Sequence, residues 1–197
     1  MKNLLAIFVM AVAFTFGVAN VSAQDMKDDK KRMMKKGDNP MVGGAAMYKT
    51  KNIVENAMNS ADHTTLVAAV KQAGLVETLS GKGPFTVFAP TNAAFAKLPA
   101  EAVADLMKPE NKAMLTKVLT YHVVAGKMDS KAIAKAIKKG KGTATFKTVS
   151  GGTLKAMMQG SSLILTDEKG GTSMVTIADV MQSNGVIHVV DTVVMPN

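Results

Sequence analysis

Residues Phe85 to Phe88 form a short apolar run that Gly83-Pro84 opens and Pro90 closes. β-Branched and aromatic residues bounded in this way predict a buried strand. Thr91 comes next, where its hydroxyl can accept from a free N–H of the following turn. It therefore predicts the N-cap of a short helix from which Phe95 and Leu98 point back. This strand-to-helix step is a hub with sequence on both sides to pack against it.

Upstream, Ile53, Ala57 and Met58 share one face of a short amphipathic helix over 52–59. Asp62 is placed to cap a second helix, in which Leu66, Val67, Val70 and Ala73 recur at helical spacing and Gly74 provides the stop. Leu75 to Leu79 adds an apolar turn before a loop over 80–84. Downstream, Pro99 and Pro109 fit the first turns of helices, with Glu101 and Glu110 favourable to the helix dipole. Met114, Leu115, Val118 and Leu119 make an apolar stripe that ends at Tyr121-His122. Val123-Val124 predicts a short strand. Ser130 is expected to cap a basic helix reaching Lys139, with Ile133 and Ile137 four apart.

After Gly140 the period changes to two, predicting strands over 143–149, 154–157, 163–165 and 174–177. Gly151-Gly152, Gly160 and Gly170-Gly171 punctuate them as hairpin loops. Asn184-Gly185 is a turn pair that favours positive φ. A last strand is expected over 186–194. Helices fill the first half and strands the second, so the class is α+β rather than an alternating parallel sheet. The hub strand and the last strand are apolar on both faces, as central strands are, and can pair to join the ends of the domain.

The N-terminal segment has a different pattern. Lys2, the apolar stretch Leu4 to Val18 and the small residues Val21-Ser22-Ala23 read as a secretory signal peptide over 1–23, cut after Ala23. The stretch falls short of the ~20 residues of a spanning helix, and no other segment is longer, so the mature chain is not expected to span a membrane. Periplasmic and fully secreted destinations are not distinguished. Residues 24–47 combine dense charge with Gly37, Pro40, Gly43 and Gly44, which predicts a flexible lead-in and a folded domain over 48–197.

The absence of cysteine excludes disulfides, thiolate-held zinc and a thiol nucleophile. The formal charge is +9, and residues 24–38 hold six cations against four anions, so most of the excess lies in the domain. A basic exported protein suits anionic partners such as an acidic polysaccharide or a surface protein. Nucleic acid is not expected, since no motif for it occurs. Met26, Met33, Met34, Met41 and Met47 supply soft sulfur ligands in the lead-in. They keep open an alternative, an exported small-ligand or Cu(I)-binding protein.

Catalytic motifs are missing: no Gly-x-Ser-x-Gly, phosphate-cradling loop or His-Glu-x-x-His occurs. No enzyme activity, cofactor or metal is assigned. Asp167-Glu168 offers too few oxygens for Ca²⁺ and reads as a solvated hairpin tip. His63, His122 and His188 would hold a metal only if the fold gathered them. His188 sits among apolar neighbours, which predicts a buried imidazole with a hydrogen-bond partner. Asn92 or Thr91 is the partner expected.

TVFAPTNAAFAKLP at 86–99, YHVVAGKM at 121–128 and NGVIHVVDTVVMP at 184–196 resemble, in order and spacing, the three motifs of the fasciclin (FAS1) domain. The resemblance covers about residues 48–197. It implies a wedge-like β-sandwich with helices packed over it, no catalytic activity, and an adhesion or matrix-binding module of the bacterial secreted kind. It makes Phe88, Thr91, Asn92, Phe95 and His188 structural motif residues. Tyr121 and His122 become interaction candidates, and Met128, Asp129 and Ser130 extend that region towards the basic helix.

Overall fold

The computed structural model describes residues 39–197. The expected signal peptide and the lead-in before Asn39 lie outside the described residues. The rest of the lead-in does not fit the expectation. Met41–Val42 (β1) and Ala45–Ala46 (β2) form a small hairpin, and Val42 and Met47 are buried. Gly43 and Gly44 adopt positive φ and make its turn, so they are not breakers of order. The folded domain therefore starts near residue 39 rather than 48.

Helices follow: Ile53–Ala57 (α1), Thr64–Ala73 (α2) and Val76–Ser80 (α3). Asn52 and Glu55 close a capping box on α1. Asp62 caps nothing, because a 3₁₀ turn over Ala61–His63 leads into α2. Gly74 ends α2 in the left-handed region. Phe85–Pro90 (β3) leads into Asn92–Ala96 (α4), with the Thr91 hydroxyl accepting from Ala94 N–H at 3.2 Å. Ala100–Leu106 (α5) and Lys112–Tyr121 (α6) complete the helical half. The chain then runs through Val123–Ala125 (β4), Ser130–Lys139 (α7), Thr143–Lys147 (β5), Thr153–Gln159 (β6), Ser162–Thr166 (β7), Thr172–Gln182 (β8) and Gly185–Val190 (β9).

The large sheet is mixed, in the order β4-β3-β9-β8-β7-β6-β5. β3 and β9, from opposite ends of the domain, run parallel with Phe88 opposite His188. Asn184-Gly185 does not take positive φ. Gly185 serves a different purpose: a Cβ there would overlap the Phe85 carbonyl oxygen, so the strands could not start side by side. β8 is far longer than its expected four residues. Register shifts between Val175 and Val180 bend it, and Asp179 sits there at φ 61°. A bridge from Val124 to Thr148 brings the far edge back to β4, so the sheet folds over itself. The final strand ends at Val190, where the expected run continued to Val194.

Two apolar cores result. The first lies between the helices and one face of β3 and β9, with Val87, Ala89, Leu115, Val118, Ile187 and Val189. The second lies inside the folded-over sheet and under α7, with Phe88, Tyr121, Ile133, Phe146, Leu154 and Val190. Consecutive residues of β3 and β9 alternate between the two, as a pleated strand requires.

Candidate interaction surface

Phe88 and Phe95 are buried where the sequence placed them, but in different cores. Asn92 does not hold His188. Its side-chain carbonyl accepts from Thr65 N–H at 3.0 Å and from the Thr64 hydroxyl, and its amide donates to Ala61 O at 2.9 Å. It ties α4 to the start of α2. His188 stacks on Phe88, with ring centroids 5.6 Å apart. Its Nε2–H donates to Met128 O at 2.8 Å, and Nδ1 faces the Asp179 N–H at 3.4 Å. The partner of His188 thus lies in a loop, which sequence spacing could not reveal.

Tyr121 and His122 are not on the surface. Both are buried, at 0% and 3% exposure, which removes them as direct partner contacts. The Tyr121 hydroxyl donates to Thr153 O at 2.6 Å and accepts from Glu168 N–H at 3.1 Å. Burial pushes its phenol up to about 12. His122 Nδ1–H donates to Val118 O at 2.9 Å, and Nε2 accepts from Val194 N–H at 3.2 Å. That pair of bonds requires the neutral ring, and burial holds it down to about 4. His63 is lowered by burial too, with Nδ1 against the Ser60 hydroxyl at 2.8 Å. The three histidines occupy three separate networks.

The acidic pair after β7 is likewise structural. Asp167 is buried and accepts from the backbone N–H groups of Lys169, Gly171 and Met195. It is a turn-forming carboxylate and not a solvated tip. Glu168 accepts from Thr153 and Asn197, and those bonds keep its carboxyl below the usual range.

Met128, Asp129 and Ser130 do reach the surface, and the structure fastens them firmly. Thr86 Oγ1 donates to Gly126 O at 2.7 Å and accepts from Met128 N–H at 2.9 Å. His188 holds Met128 O. Asp179 accepts from both the N–H and the hydroxyl of Ser130, at 2.6 and 2.5 Å. The cap of α7 is Asp129, which accepts from Ala132 N–H at 2.8 Å, and not Ser130 as expected. Polar residues of β3, β8 and β9 thus converge on one loop and fix where α7 begins.

What α7 presents is positive charge. Ile133 and Ile137 are buried beneath it, while Lys131, Lys135, Lys138 and Lys139 are exposed on the other side. Between 127 and 155 there are eight lysines and one acid, Asp129. The remainder of the described domain has nine lysines and ten acids. Among the described residues the ion pairs are Lys97–Asp191 and Lys108–Asp105, so no lysine of this segment is in one. A groove of about 360 Å³ runs beside the helix, lined by Ser130, Lys131, Ala134, Met158, Leu163 and Val175. Sequence reasoning found the basic helix but not that the segment 127–155 around it carries the domain's whole charge excess; a count by segment would have found it.

The fasciclin domain pattern matches residues 61–196. Protein sll1483 of Synechocystis is 41% identical over 193 residues, spanning 96% of this chain and 94% of its own length. Immunogenic protein MPB70 of Mycobacterium bovis is 38% identical over 145 residues, spanning 71% of this chain and 66% of its own. Among solved structures, the FAS1 domain pair of the insect cell adhesion molecule fasciclin I superposes with a TM-score of 0.64 at 16% identity. That match covers 72% of this chain and 50% of the other, and the likeness is one of fold.

Proposed function

This chain belongs to the fasciclin domain family, and from that premise we propose that it is an exported attachment module that works by contact and not by catalysis. Its partner is a surface protein or an acidic polysaccharide. The observation that carries this reading is the inward use of its chemistry: the three histidines, Tyr121 and Asp167 are all buried, and each bonds to neighbouring groups of the fold. The surface offers charge and shape in place of reactive groups. No helix among the described residues is long and apolar enough to cross a membrane. A relative, the cell surface glycolipoprotein MPB83 of Mycobacterium bovis, is 34% identical over 145 residues, and its name places it at a cell surface. Deleting the gene should reduce attachment and aggregation of the producing cell, and complementation should restore them. Unchanged attachment and aggregation in the deletion strain would overturn the reading.

A second reading, an exported small-ligand protein, draws on one feature. An apolar cavity of about 40 Å³ lies in the helical core, bounded by Leu66, Val70, Leu79, Val87 and Ile187. Native mass spectrometry of protein from its own cell should then show a bound mass that an Ile187→Phe variant excludes. A spectrum of bare protein across conditions removes this reading. Of the five methionines that kept a copper alternative open, Met47 is in the core, Met41 is exposed, and Met26, Met33 and Met34 lie outside the described residues.

A further inference from the structure

Resting on the attachment reading, we propose that the docking surface is the lysine face of α7 with its adjoining groove, and that its ligand is a carboxylated polysaccharide. Lys131, Lys135 and Lys138 recur at helical spacing along one side of a helix whose other side is buried. Their backbone attachment points are therefore about 6 and 4.5 Å apart along the axis. A linear polymer with one carboxylate per sugar repeats its charge on that scale, so several pairs can form without either partner bending. Lys139, the last residue of α7, and Lys141 just beyond it add two more exposed lysines.

Two features select this ligand over other anions. The first is that, among the described residues, none of these lysines is in an ion pair, so none has to break before binding. The second is the groove beside Lys131. Its apolar lining includes Met158, Leu163 and Val175, and Ser130, Ser161 and Thr176 supply polar groups. A lining that mixes apolar side chains, hydroxyls and a cation suits a sugar ring, which carries C–H groups on its faces and carboxylate and hydroxyl groups at its edges. Free phosphate would leave the apolar part of that lining unused. Insertion into a membrane would need an apolar face turned outward, and the apolar side of α7 faces the core; adsorption to an anionic bilayer by charge alone would leave the groove unused. The network of His188, Thr86 and Asp179 holds the start of α7 rigid, so little ordering remains to be done on binding.

The test uses the chain as exported, from residue 24. Binding to polygalacturonate, to neutral dextran and to vesicles containing phosphatidylglycerol is measured across ionic strength. Lys131, Lys135, Lys138 and Lys139 are changed together to Gln; a second variant changes Lys49, Lys71, Lys82 and Lys169 to Gln, an equal loss of charge elsewhere. Circular dichroism checks that both fold. The wild type should bind polygalacturonate with a strong salt dependence and leave dextran unbound. The first variant should lose at least about tenfold in affinity and most of its salt slope, and the second should stay within about threefold of wild type. Equal losses in the two variants, or tighter binding to vesicles than to polygalacturonate, would overturn the proposal. If the helix variant loses polygalacturonate and the cells still attach normally, the attachment reading falls while the assignment of the surface stands.

Discussion

β3 and β9 are buried on both faces, yet the two faces carry different residues. Towards the helices they present Val87, Ala89, Ile187 and Val189, all apolar. Towards the folded-over sheet they present Thr86, Phe88, Val186, His188 and Val190, a set with two polar members. Both polar side chains bond to the loop that starts α7. One face only holds the domain together; the other also positions the surface through which it is proposed to act. A buried polar group must find a partner, and a partner in a distant loop fixes that loop. Burial alone would have rated the two faces alike.

The largest effect expected from breaking this pattern is at Phe88. Phe88→Ala removes a ring from the second core and the stacking partner of His188, and should destabilise the domain by about 3–5 kcal/mol. On the other face, Val87→Ala should cost about 1–3 kcal/mol. Urea denaturation measures both. Amide hydrogen exchange at 126–130 should quicken in the Phe88 variant before global unfolding and stay unchanged in the Val87 variant. Equal exchange in the two would mean that the faces do not differ in what they hold.

Next in size is a pH effect. His122 titrates near 6.5 when unfolded and about 4 when folded, because burial penalises the cation. Above pH 6.5 both states are neutral there and stability is independent of pH. As pH falls from 6.5 towards 4, the unfolded chain takes up the proton and the folded chain does not, so stability is lost across that window. For His122 alone the loss is roughly 3 kcal/mol. His63 and His188 shift in the same direction and add to it. Asp167 near His122, and Asp179 and Asp129 near His188, offset part of the shift. The urea midpoint should drop between pH 7 and 4.5, with a shallower drop in His122→Gln. A flat midpoint would contradict neutral buried rings.

Much of this arrangement was legible in the sequence. Continuous apolar runs at 85–88 and 186–190 marked the central pair, because strands buried on both faces lose the polar alternation. Helix stops and caps at Gly74 and Thr91 were readable because they depend on neighbours a few residues away. The roles that failed to show were those fixed by distant chain. Asn92 and His188 both looked able to bond, but their partners lie in loops whose course no spacing encodes. Asp167 looked exposed at a hairpin tip, and only the returning C-terminus at Met195 buries it. β8 was read too short because its bulge at Asp179 interrupts the period of two. The candidate surface was half visible: its charge is local, whereas the burial of Tyr121 and His122 next to it is not.

His188 allows a more selective test of the comparison. His188→Gln keeps a donor that can reach Met128 O but removes the ring from Phe88. It should cost about 1–3 kcal/mol, less than Phe88→Ala. Exchange at 126–130 should rise, with affinity for polygalacturonate falling less than in the lysine variant. An Asn92→Ala variant supplies the contrast. It loses two bonds from α4 to α2 and one to the 3₁₀ turn before it, and should reduce stability by a similar amount. It should leave the 126–130 amides and the polysaccharide affinity alone. If Asn92→Ala loosens 126–130 as much as His188→Gln does, the loop is coupled to the whole domain and not to one face.

The smallest expected change is the most discriminating, because its two consequences have opposite signs. Asp129 caps α7 and is also the single acid between 127 and 155. Asp129→Ala should cost about 1 kcal/mol of stability through the lost cap. It also removes a negative charge beside the lysine face, which should tighten polygalacturonate binding by a few-fold at low salt. Thr91→Ala, a cap on the other side of the hub, should cost a similar ~1 kcal/mol and leave binding unchanged. Asp129→Asn separates the two consequences, since asparagine caps well without the charge. It should keep stability and still tighten binding. Should Asp129→Asn bind more weakly than wild type, the carboxylate would itself be part of the recognition, and the lysine row alone would not account for it.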